Sequence, residues 1–260
     1  MTNITKEALE ELLNAINENV KNATEDDYSD SEWYREILWR DELEDYFEDC
    51  DYEAIMNIED RLAIDAVQYP DLYPVIREII EGITKINNEY WSGPIDVDSE
   101  WSAGTFFAGR LALASKSDED VLLFAEHLAT RDIDHEAEPF DFFGVWEILK
   151  EFGYCDKTVP VIIALFSANS QHRGDHITVE GAKKFTAYLN EGDNLNRFLA
   201  EMAKWNKEYN VQLEELFYLL LDEALGLGED QGEEAEELFT QITDEGRIPT
   251  KDDFKTITEG

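Results

Sequence analysis

Basic residues are what this sequence lacks most: 21 Lys and Arg stand against 61 Asp and Glu, a formal net charge of -40 over 260 residues. Nucleic acid and anionic membrane surfaces are therefore poor partners, because both would be repelled. Cysteine is nearly absent as well. Cys50 and Cys155 lie far apart with no Cys-x-x-Cys pairing, which argues against a disulfide scaffold and against the common zinc spacings. No apolar run approaches the ~20 residues of a membrane span, and no run of five or more residues alternates convincingly between apolar and polar, so strands are not expected. Walker loops, Gly-x-Ser-x-Gly elbows and His-Glu-x-x-His are all missing. The glycines of Gly226-x-Gly228-x-x-x-Gly232 have the wrong spacing for a dinucleotide, and their acidic neighbours would repel phosphate. No catalytic residue, metal ligand or cofactor is assigned, and the chain is not expected to be an enzyme.

The chain nevertheless contains a core, with 43% hydrophobic and 12% aromatic residues. Such a composition folds and is not that of a disordered acidic tail. Since self-repulsion at this charge opposes compaction, the acidity is expected to serve something beyond solubility. Adaptation to high salt also makes proteins acidic, but it fits poorly with 20 Ile and with 12 Lys against 9 Arg. Glu7, Glu10 and Glu11 stand where a signal peptide would be apolar, which gives a cytoplasmic expectation.

The most apolar stretch is Val159 to Phe166, eight residues without a charge. With Asp156 or Thr158 as cap and Pro160 near its first turn, it predicts a helix over 157–169, apolar all round and central to a core. Thr5 opens a helix to about Ala23 whose Leu9, Leu12, Leu13, Ile16 and Val20 share one 100° arc. Further helices are predicted over 29–48, 51–68, 74–91, 100–114, 118–130 with Ser117 as cap, 139–152, 179–190, 194–208, 211–225 and 232–242. The whole is expected to be all-α, an irregular multi-helix bundle of about twelve helices, the alternative being a short α-solenoid of helix pairs. Ser92-Gly93-Pro94 is the best breaker. It divides an acidic N-terminal helical subdomain, 1–92, from a C-terminal one, 93–260, that contains the core helix, the two packed as one globular unit.

Charge is concentrated in one place. Residues 25–60 hold 16 acids against only Arg35 and Arg40. A helical path through these 36 residues would be ~54 Å long, or one net negative charge per ~4 Å, close to the ~3.4 Å of a DNA strand. The 29–48 helix within this segment has Trp33, Tyr34, Ile37, Leu38, Trp39, Leu43, Tyr46 and Phe47 distributed around its axis, too many for one buried face. Aromatics ringed by charge are the material of interface hot spots. The expected partner-binding residues are Asp26, Asp27, Asp30, Trp39, Asp41, Glu42, Asp45, Tyr46, Glu48 and Asp49.

Two constellations compete with this reading. All four histidines, His127, His135, His172 and His176, lie between positions 127 and 176, and imidazoles with nearby carboxylates would suit a metal-dependent enzyme. Gly174, however, argues that the His172/His176 pair lies on a loop without helical ligand spacing. Asp96-x-Asp98-x-Glu100 and Asp132-x-Asp134-x-Glu136 begin like calcium loops, but Trp101 and Ala137 stand where Gly is needed, and Phe107 and Phe143 where Glu is. The leading expectation is an acidic inhibitor that occludes a basic protein partner, first an immunity protein against a nuclease-like toxin, next a DNA mimic. A helical scaffold with no activity of its own is a third possibility.

Overall fold

Thr5 begins the first helix as its side chain suggests. In the computed structural model, which describes residues 5–23, 65–90, 103–130, 143–165, 184–185 and 187–209, its hydroxyl accepts the Ala8 N–H at 3.3 Å and α1 runs Lys6–Asn22. Capping of this kind contributes ~1 kcal/mol. Leu9, Leu12, Leu13, Ile16 and Val20, the five residues of the apolar arc, are all buried, while Glu7, Glu10, Glu11 and Glu18 on the other side are exposed.

Among the described residues all regular structure is helical, seven α-helices and a 3-10 turn, with no strand. The all-α expectation holds there. The helices predicted over 29–48, 211–225 and 232–242 lie outside the described residues, so the expected total of about twelve is not reached among them. No helix among the described residues is long and apolar enough to cross a membrane.

The chain divides into two compact units, 1–151 and 152–260. In the first, Asp65 and Ala66 are helical, and the 3-10 turn Pro70–Leu72 leads into α2, Tyr73–Tyr90. Ile76, Ile79, Ile80 and Ile83 repeat with helical spacing on α2 and are all within 1% of complete burial. Helices α3 (Ala103–Ser115) and α4 (Asp118–Thr130) form a hairpin, and each packs on α2; α1 packs on α2 as well. The breaker Ser92-Gly93-Pro94 itself lies outside the described residues, and the helices on either side of it, α2 and α3, pack together within the first unit. Helix α5, Phe143–Phe152, follows. The α3–α4 turn uses Lys116 at φ 55°, a left-handed position that glycine would occupy without strain; its N–H closes on the Ala112 carbonyl at 3.0 Å.

In the second unit, α6 (Val159–Leu165) packs on α7 (Asn194–Tyr209). Val161, Ile162 and Ile163 are each at 0% exposure. Three consecutive residues sweep about 200° of a helix, so this helix has little room for a solvent face, as its composition requires. Thr158 is also fully buried, with its hydroxyl turned back: it donates to the Gly153 carbonyl at 2.8 Å and accepts the Cys155 N–H at 3.1 Å. Phe185 is enclosed by Tyr154, Tyr188 and Phe198, with ring centroids 5.7, 6.1 and 5.3 Å away.

Candidate interaction surface

The ten expected partner-binding residues, Asp26 through Asp49, lie outside the described residues. What the structure describes is the scaffold next to them in sequence, and how that scaffold treats charge.

Its described residues in the first unit hold 15 acids and 7 Lys or Arg. Five of those seven bases are in ion pairs with acids: Lys6 with Asp71, Lys21 with Glu78, Arg77 with Asp120, Arg110 with Glu147, and Lys116 with Glu151. Lys6 holds the Asp71 carboxyl below the usual range by its hydrogen bond. Glu78 is lowered similarly, first by the Lys21 ammonium at 2.7 Å and then by the Asn17 amide at 2.8 Å.

One of these pairs has a buried carboxylate and a half-buried guanidinium. Asp120 has no exposed side-chain surface, and Arg77 grips it with two bonds, Nε to Oδ1 at 2.6 Å and Nη2 to Oδ2 at 2.8 Å. Ser117, the expected cap of α4, accepts the Asp120 N–H at 3.0 Å and donates its hydroxyl back to Asp120 at 2.8 Å. This closes a box in which the third helical residue and the cap each hold the other. Burial alone would raise the Asp120 pKa, but the hydrogen bonds from Arg77, Ser115 and Ser117 outweigh it and hold the group ionised below its ordinary range. The signal for the cap was legible as Ser117-x-x-Asp120; nothing in the sequence joined Arg77 to it.

His127 is fully buried on α4, its Nδ1 3.0 Å from the Thr84 hydroxyl of α2. Since Thr84 donates its proton to the Ile80 carbonyl at 2.8 Å, its oxygen accepts from Nδ1–H. This histidine is therefore joined to core packing. His135, His172 and His176 lie outside the described residues, as do both calcium-like starts. Among the described residues no three His, Cys, Asp or Glu side chains are grouped to hold a metal.

The second unit handles the same chemistry in the open. Arg197 reaches Asp156 at 2.6 Å with both side chains more than half exposed, and Tyr188 donates its hydroxyl to the same carboxylate. Burial, and then that bond to Asp156, raise the Tyr188 phenol well above its ordinary pKa. Asn194 Nδ2 donates to the Tyr188 carbonyl at 2.8 Å, tying the start of α7 to the turn before it.

No protein-family model, curated protein or solved structure matches this chain.

Proposed function

We propose that this chain is an acidic inhibitor that binds and occludes a basic protein partner, in the first instance an immunity protein that neutralises a nuclease-like toxin. One observation carries the reading: residues 25–60 hold 16 acids and two bases, while five of the seven bases described in the same unit are already committed to other acids. Charge that a fold leaves uncompensated is available to a partner of opposite sign and steers its approach. Trp39 and Tyr46 serve as anchors within Asp26, Asp27, Asp30, Asp41, Glu42, Asp45, Glu48 and Asp49. In this reading the protein works in the cytoplasm, has no catalytic activity and no cofactor, and the whole chain is an irregular bundle of about twelve helices. The spacing of its charge, close to that of a phosphate backbone, favours a partner whose own substrate is nucleic acid, so a DNA mimic is the nearest relative of the proposal.

The test is to purify the product of the adjacent gene and assay it for nuclease activity with and without this chain. Stoichiometric loss of that activity supports an immunity protein. A partner that is not a nuclease, but is competed off duplex DNA by this chain, supports the mimic. A neighbour that neither binds the chain nor loses activity removes the immunity reading.

A further inference from the structure

Helices α1 and α2 run in the same direction. Lys6 at the start of α1 meets Asp71 just before α2, whereas Asn17 and Lys21 near its end both meet Glu78. Parallel neighbours cannot be joined by a tight turn, and 50 residues, 23–72, separate these two. Chain connectivity therefore leaves the register between them free, and side chains must set it.

We infer that Asn17, Glu78 and Gly82 form a register lock that admits one docking position of α1 on α2. Asn17 is 4% exposed, lies among apolar neighbours of the α1 core face, and has Glu78 as the acceptor for its amide N–H at 2.8 Å. On α2 the residues one turn to either side of Glu78 are Pro74 and Gly82, and neither has a side-chain acceptor. Sliding α1 by one turn either way thus buries the Asn17 amide against a residue with no side-chain acceptor, where the backbone carbonyls are already engaged in the helix. Lys21, one turn beyond Asn17, reaches the same Glu78 oxygen at 2.7 Å, so both α1 contacts converge on one carboxylate. Gly82 supplies the steric half. A Cβ added there would lie 2.6 Å from Val20 Cγ1, and Val is stiff about χ1. The fold accepts one defect for this arrangement: Asn17 Oδ1 is buried with no hydrogen-bond partner. A single polar residue in an apolar helix interface fixes register in coiled coils in the same way, at a cost in stability.

The test uses spin labels at Asn14→Cys on α1 and Asp118→Cys on α4, both exposed sites, with Cys50 and Cys155 replaced by Ser. The parent is expected to give one distance population. Adding Asn17→Leu, which removes the polar selector but keeps an apolar side chain, is expected to produce a second population displaced by about one helical turn, ~5 Å, without loss of thermal stability. Glu78 is more than half exposed, so Glu78→Ala will fold, and it is expected to broaden the distribution too; Glu78→Gln keeps an acceptor and should leave one population. A single, unshifted distance in both Asn17→Leu and Glu78→Ala would overturn the lock and assign register to the apolar surface alone.

Discussion

Two stretches of the first unit treat negative charge in opposite ways. The described scaffold has 15 acids and 7 bases over 82 residues, sets most of those bases against acids, and surrounds its one fully buried carboxylate with Arg77, Ser115 and Ser117. The 36 residues from 25 to 60 hold 16 acids and two bases, so even complete pairing of Arg35 and Arg40 would leave a net charge of -14. The described scaffold sets its buried acid against a base, whereas the composition of residues 25–60 leaves its acids far in excess of its bases. In the proposed reading the first pattern serves stability and the second association, so substitutions in the two stretches should separate cleanly.

The largest effect is expected at Asp120. Asp120→Ala removes the α4 cap box and the partner of Arg77, and should cost about 3 kcal/mol of unfolding free energy, measured by denaturant titration. The same group fixes a pH dependence. Its folded pKa is depressed, so its contribution is fully present above the unfolded value of about 4 and is lost as pH falls through the lower folded value. Acid titration of the parent should show this loss, and Asp120→Asn should flatten it. A cost under ~1 kcal/mol would mean that the pair behaves like a surface ion pair, and the contrast between the two stretches would weaken.

In the acidic segment the expectation is reversed. Trp39→Ala should weaken binding to the basic partner by ~2 kcal/mol or more while leaving thermal stability unchanged. A large drop in melting temperature would show that Trp39 belongs to the core and that the segment is not a recognition surface. Next in size is Thr84→Val, which takes the hydroxyl oxygen away from the buried His127 Nδ1 and should cost ~1–2 kcal/mol with no effect on binding. The smallest effect sharpens the rule about exposure. Arg197→Ala breaks a pair whose members are 56% and 59% exposed, and should change stability by less than ~1 kcal/mol, although its chemistry repeats that of Arg77 and Asp120.

Much of the scaffold was legible because local signals and burial agreed. Thr5 and Ser117 cap the helices they were expected to cap, the five-residue arc of α1 is the buried face, and the charge-free run at Val159 became a helix with Val161, Ile162 and Ile163 wholly inside. Helix α7 spans Asn194–Tyr209, against the expected 194–208. What the sequence did not reveal were contacts between residues far apart in the chain. Arg77 meets Asp120 across 43 positions, and Asn17 meets Glu78 across 61. Neither pair has a spacing rule, since each depends on how separate helices dock. Asn17 in particular sits at the edge of the apolar arc, where an amide reads as a boundary residue and not as a buried one. The proposed assignment of the acidic segment to a partner rests on its charge and on its aromatic placement.

The decisive measurement is the association rate of this chain with the neighbouring gene's product as a function of salt, taken on the parent and on the triple variant Asp41→Asn, Glu42→Gln, Asp45→Asn. A steering surface predicts a rate near ~10⁸ M⁻¹s⁻¹ at low salt that falls at least tenfold as salt rises, dissociation changing little, with the triple variant slower at low salt and less sensitive to added salt. A rate that stays flat with salt, and is the same in parent and variant, would contradict the claim that the uncompensated charge of residues 25–60 exists to meet a basic partner.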